Sequence, residues 1–213
     1  RFLYVLALPT ASVLTFGSYV LAATIVCAAA LGGVALFGSA RTPVVLVRAL
    51  EWAALALGLA TTAYTGVLLA QIGFVPLWGS PLLPALFTCS SLSVGVACTM
   101  AAALPDARRA PRLLRALARA DSVVIAVEAL VLTAYLASAA FGSGQAEAVE
   151  AFLFGPGMWF FWIGFVACAL ALPLALDFSY TGCGRVALAA AAVPLVLAGG
   201  FFLRYCIVNV PWT

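Results

Sequence analysis

Six apolar runs, each at least 20 residues long, govern what this chain can fold into. A helix needs about 20 apolar residues to cross the hydrocarbon of a bilayer, and these runs meet that requirement one after another. They separate at charged or Pro/Gly-rich punctuation, at residues 12–37, 44–72, 82–104, 122–141, 154–176 and 186–208. Inside lipid each segment must satisfy its own backbone, so each run is predicted to be a helix. The alternating pattern of a membrane barrel is absent. Composition agrees, with 66% hydrophobic and 8% charged residues, far from the range of water-soluble domains. Residues 1–213 are therefore predicted to form a single all-α integral membrane domain, a bundle of about six transmembrane helices. Residues 1–11, with Pro9, read as an interfacial lead-in and not as a signal peptide, because no small-residue cleavage pattern follows. The chain starts at Arg1 without a methionine, so it is read as a processed form or as part of something longer.

Charge sets the expected orientation. With six spans the loops alternate sides, and one side collects Arg41, Arg48, Arg108, Arg109, Arg112, Arg115, Arg119 and Arg185. The other carries Glu147, Glu150, Arg1 and Arg204. The arginine-rich side, including the basic loop 105–121, is expected to be cytoplasmic, with the C-terminus outside. Arginines flanking a span are a topology signal and contact anionic lipid head groups, so no nucleic-acid partner is expected.

Several chemistries are excluded. The chain has no histidine, the usual ligand of b-type haem in a membrane bundle, so no haem and no histidine-based metal site are expected. The cysteines (Cys27, Cys89, Cys98, Cys168, Cys183, Cys206) form no C-x-x-C pair and mostly sit in apolar runs. They read as packing residues, and no iron–sulfur cluster is expected in this chain.

Ionisable groups at membrane depth are candidates for function because they are costly to keep there. Glu128 lies in ADSVVIAVEALVL, about 10 Å from the basic end of its span. It reads either as a protonated, hydrogen-bonded acid or as a step in a proton path. Arg204 lies in GGFFLRYCIVN, near the opposite end of the last span. Depth is expected to keep these two apart, leaving Arg204 to serve the outer rim or a partner, or simply to snorkel to the head groups. The stretch YTGVLLAQIGFVPLWGSPLLP, residues 64–84, is the densest set of amphipathic groups. Tyr64 sits deeper than an interface anchor, with a hydroxyl that needs a partner. Gly66 beside it opens room for a flat ring, and Trp78 offers an aromatic wall. A quinone headgroup would suit such a pocket.

At four stretches the chain resembles the NrfD/polysulfide-reductase membrane-subunit family: RFLYVLALPTASVLTFGSYVL, YTGVLLAQIGFVPLWGSPLLPALFTCSSLSVGVA, LARADSVVIAVEALVLTAYL and LAGGFFLRYCIVN. The resemblance implies a quinone-interacting anchor in the cytoplasmic membrane of a bacterium. Such a subunit would pass electrons between menaquinone or ubiquinone and a ferredoxin-like iron–sulfur subunit outside the cytoplasm, often joined by a molybdopterin catalytic subunit. It is not catalytic alone. The resemblance also implies an eight-helix family fold, of which this chain would be a fragment lacking two N-terminal helices. It assigns Tyr64, Gly66 and Trp78 to the quinone, Glu128 to the proton path and Arg204 to the outer rim. Two other classes stay open. A secondary transporter would use the prolines at 84, 173 and 194 and a buried acid, although paired interrupted helices are missing. A structural scaffold would use the intramembrane charges only for packing.

Overall fold

The computed structural model describes residues 12–37, 43–72, 75, 77–107, 109–142 and 144–209. The lead-in 1–11, Arg1, Arg41, Arg108 and the VPWT end lie outside the described residues. The described residues are almost entirely helical, without strands, and carry six helices long and apolar enough to cross a membrane. The protein is an all-α integral membrane protein.

The helices divide into two compact units, Arg1–Leu69 and Ala70–Thr213. In the first, α1 (Val13–Phe37) and α2 (Val44–Ala70) run antiparallel. The Thr24 and Thr61 hydroxyls lie 2.9 Å apart across the pair, each also within reach of a carbonyl one turn back, so that one donates to its own carbonyl and accepts from the other. Such pairing satisfies polar side chains that lipid cannot.

The second unit contains α3 (Leu82–Ala103), α4 (Pro111–Ala137), the short α5 (Ala146–Phe154), a fifth span and α7 (Val186–Asn209). The fifth span is π-helical over Phe160–Ala171 and α-helical, as α6, over Leu172–Cys183. Helix α4 packs on α3 and α6, while α7 packs on the fifth span and on α3. Leu83, Leu86, Met100, Leu114, Ile125, Phe165 and Leu203 fill the interior.

Two boundaries differ from the sequence reading. The basic segment 105–121 is not a loop throughout, because α4 begins at Pro111, where the missing N–H is harmless. From there Leu114, Ala118, Asp121, Ile125, Glu128, Leu132 and Tyr135 form one buried stripe at three- and four-residue spacing, and Arg112, Arg115 and Arg119 stay exposed. The segment is thus three amphipathic turns below the apolar run. Likewise the span expected to end at residue 176 continues to Cys183 and ends on Gly184, whose φ of 69° only glycine adopts readily. That extension carries Asp177, read as a loop residue, into the helix and buries it completely.

Candidate functional site

Arg204 shows how the interior of the second unit is built. Side chains on a helix lean toward its N-terminus, and the glycine one turn earlier leaves that path open. The guanidinium folds back, Nη1 donating to the Gly200 carbonyl at 2.8 Å and Nη2 to Ser91 Oγ at 2.6 Å. Its carbon lies 5.6 Å from the centroid of the Phe87 ring, a cation–π arrangement. A Cβ on Gly200 would stand 2.7 Å from Val94 Cγ2 and 3.5 Å from Arg204 Nη1. The group therefore points into the bundle and away from the nearer helix end.

The inward turn bears on the expected separation of Arg204 from Glu128. Glu128, 2% exposed, lies within electrostatic reach of Arg204 and within hydrogen-bonding reach of Ser90. The arginine side chain travels back along α7 toward the glutamate, yet no ion pair within 4 Å joins the two among the described residues, as their depths led one to expect.

Two further acids join them. Asp121, two turns before Glu128 on the same stripe of α4, accepts a 2.7 Å hydrogen bond from Ser93 Oγ at Oδ1. Asp177 on α6 lies within hydrogen-bonding reach of Asp121, its oxygens otherwise without a donor. All three carboxyl groups are at most 2% exposed. The run CSSLS of α3 supplies one hydroxyl to each neighbour: Ser90 to Glu128, Ser91 to Arg204 and Ser93 to Asp121. The result is a buried polar ladder between α3, α4, α6 and α7. Sequence reasoning found only its Glu128 and Arg204 rungs. Asp121 could have been found from its seven-residue spacing to Glu128, which continues to Leu114 and Tyr135.

At the end of this unit away from the arginines, a clasp holds the link before α3. Leu77 has a φ of 70°, unusual for a residue with a side chain, and is 2% exposed. Both its backbone groups are held by distant side chains: its N–H donates to Gln145 Oε1 at 2.8 Å and its carbonyl accepts from the Tyr135 hydroxyl at 2.7 Å. Trp78 donates its indole N–H to the Ile207 carbonyl at 2.8 Å, tying the link to α7. A cavity of about 430 Å³ opens beside it, lined by Leu77, Ser80, Ser138 and Gln145 among others. Tyr135→Phe should leave a buried carbonyl without its donor and lower stability by about 1–2 kcal/mol. A thermal melt of the detergent-solubilised protein checks this; an unchanged midpoint would mean the clasp contributes nothing.

Tyr64 and Gly66 belong to the first unit. Gly66 is buried, and the half-buried Tyr64 ring lies flat against Gly17 of α1, so close that any side chain at 17 would overlap it. Among the described residues the Tyr64 hydroxyl has no hydrogen-bond partner. The predicted site residues thus fall into three places: Tyr64 with Gly66, Trp78 in the clasp, and Glu128 with Arg204 in the ladder.

Comparison with known proteins agrees with this architecture. The family described as polysulphide reductase, NrfD, matches residues 2–210. Protein NrfD of Escherichia coli (strain K12) is 32% identical over 165 residues, covering 75% of this chain and 52% of that protein. The chain thus spans about half the length of the curated relative it matches. No solved structure matches.

Proposed function

The chain belongs to the polysulphide reductase NrfD family, and from that membership we propose that it is the membrane anchor of a multi-subunit respiratory oxidoreductase. Proteins of this family are generally quinone-interacting anchors of such complexes. In this reading electrons pass between membrane menaquinone or ubiquinone and a ferredoxin-like iron–sulfur subunit outside the cytoplasm, with a molybdopterin subunit as the terminal catalyst. The arginine-rich end faces the cytoplasm of a bacterium, and the Leu77 link and the end of α7 face outward. The observation that carries the reading is a family match running through all six spans.

The residues fit a quinone. A bound quinone would supply two-electron, two-proton redox chemistry, and the protein has only to bind it, donate to it and keep water away. The Tyr64 hydroxyl, held in place by the ring's seat on Gly17 and free of other partners among the described residues, suits a donor to a quinone carbonyl. Gly66 beside it is buried; Trp78 belongs to the second unit, where its indole N–H is committed to the Ile207 carbonyl and cannot act as a donor to a headgroup. Glu128 would take or hand on a proton. The inward turn of Arg204 supports a role as counter-charge to Glu128 over a role at the outer rim.

Tyr64→Phe tests the assignment. Losing one donor to the bound headgroup should reduce quinol oxidation by the assembled complex about tenfold, with subunit assembly intact. Turnover equal to that of the unmodified complex would remove Tyr64 from the site.

A further inference from the structure

Asp121 and Asp177 have no part in the quinone reading, yet they are among the most deeply buried side chains in the molecule, 1% and 0% exposed. Written as two ions, they leave Asp121 Oδ2 and both Asp177 oxygens without any donor. Two ionised carboxylates in hydrogen-bonding contact away from water would carry a desolvation penalty of several kcal/mol each as well as their mutual repulsion. Ser93 satisfies only Asp121 Oδ1.

Counting the charges that face the pair sharpens the point. Glu128 of α4 lies within electrostatic reach of Asp121, while Cys89 of α3 and Arg204 of α7 lie within reach of Glu128; Tyr180 is buried one turn beyond Asp177 on α6. Arg204 acts on Glu128 and is bonded to Gly200 and Ser91. Arg109, Arg112, Arg115, Arg119 and Arg185 are exposed at the end of the bundle. Three buried carboxyl groups therefore share the interior of the unit with one guanidinium. The interior is neutral only with two protons aboard, and the one guanidinium acts on Glu128.

We propose that Asp121 and Asp177 form an exchangeable proton-binding site. In the resting state both are carboxylic acids. Release of one proton leaves an acid–carboxylate pair in which the retained O–H of one aspartate donates to the other, and Ser93 supports the Asp121 side. One proton leaves and returns; no electron moves and no other bond changes. Asp177 stands six residues, about 9 Å, from the arginine-rich end of α6. Asp121 is two turns, about 10 Å, from Glu128. The pair is thus placed to load protons from the arginine-rich side toward Glu128. That last role rests on the quinone reading; the proton site does not.

The sequence allows a clean test, because the chain holds only three aspartates and the third, Asp106, is 66% exposed at its side chain. Infrared spectra of the purified protein, labelled with carbon-13 at aspartate side chains, report on little else. A protonated-carboxyl band at neutral pH is expected, shifting down on transfer to heavy water. It should be lost in the Asp121→Asn, Asp177→Asn double variant and unchanged when sodium replaces choline in the buffer. Absence of the band means that both groups are ionised, and failure to shift means that the proton is not exchangeable. Loss of the band with sodium makes this an alkali-cation site. Each of these results overturns the proposal. None requires quinone turnover, so failure of the quinone assignment would be seen separately.

Discussion

Gly199→Leu is expected to prevent stable folding of the second unit. A Cβ at this position would overlap the Ala169 Cβ and approach the Ala169 Cα to 2.6 Å and its N to 2.7 Å. The obstacle is backbone, which cannot swing aside as the tip of a long side chain can. Helices in membranes associate through close backbone approach at small residues, so the glycine sets the spacing between α7 and the π-helical segment. Overpacking of a core costs about 1–3 kcal/mol when side chains can adjust, and the absence of that relief here puts the effect at or above the top of this range. Size-exclusion profiles in mild detergent should change from a monodisperse peak to aggregate. Gly95→Leu, on α3 where a Cβ meets nothing within 4 Å, serves as the control and should keep the peak. Equal behaviour of the two variants would mean that the α7 contact is not what limits packing.

Arg204→Leu should cost about 2–3 kcal/mol, the magnitude typical of removing a charged donor from buried hydrogen-bond partners. Glu128 would lose its positive neighbour, and Ser91 its charged partner. The test lies in the double variant. If Arg204 serves Glu128, then Arg204→Leu with Glu128→Gln should recover much of the lost stability, and the two changes will not add. Strict additivity in thermal melts would show the two residues acting independently and return Arg204 to a snorkelling role. Arg204→Lys should rescue little, because one ammonium cannot reproduce the planar fork that reaches both Gly200 and Ser91.

The helices were legible because each is declared by its own hydropathy. The apolar runs of α1, α2, α3 and α7 coincide with their observed helices to within a few residues. The errors fell where a helix continues beyond its apolar run. The first turns of α4 are rich in arginine yet helical, since one stripe of Leu114 and Ala118 is enough to dock them. The last turns of α6 contain an aspartate that reads as punctuation, although the bundle buries it. Tyr135 passed unnoticed for a related reason. Its hydroxyl bonds Leu77, 58 residues away, and no local pattern announces such a partner.

By itself the sequence determined that the chain lives in a membrane, how many times its helices can cross, and which charges would have to be hidden at depth. Those properties are local: transfer of a segment into lipid depends on that segment's own side chains. Only the tertiary structure decided which hidden charges meet. Arg204 turns back into the bundle on the side of Glu128, and Asp177 reaches Asp121, because helices distant in sequence lie side by side and long side chains reach along them. Rise per residue fixes where a Cα stands in the bilayer, but the contacts of a buried ion depend on where its side-chain tip ends and on which helix stands opposite.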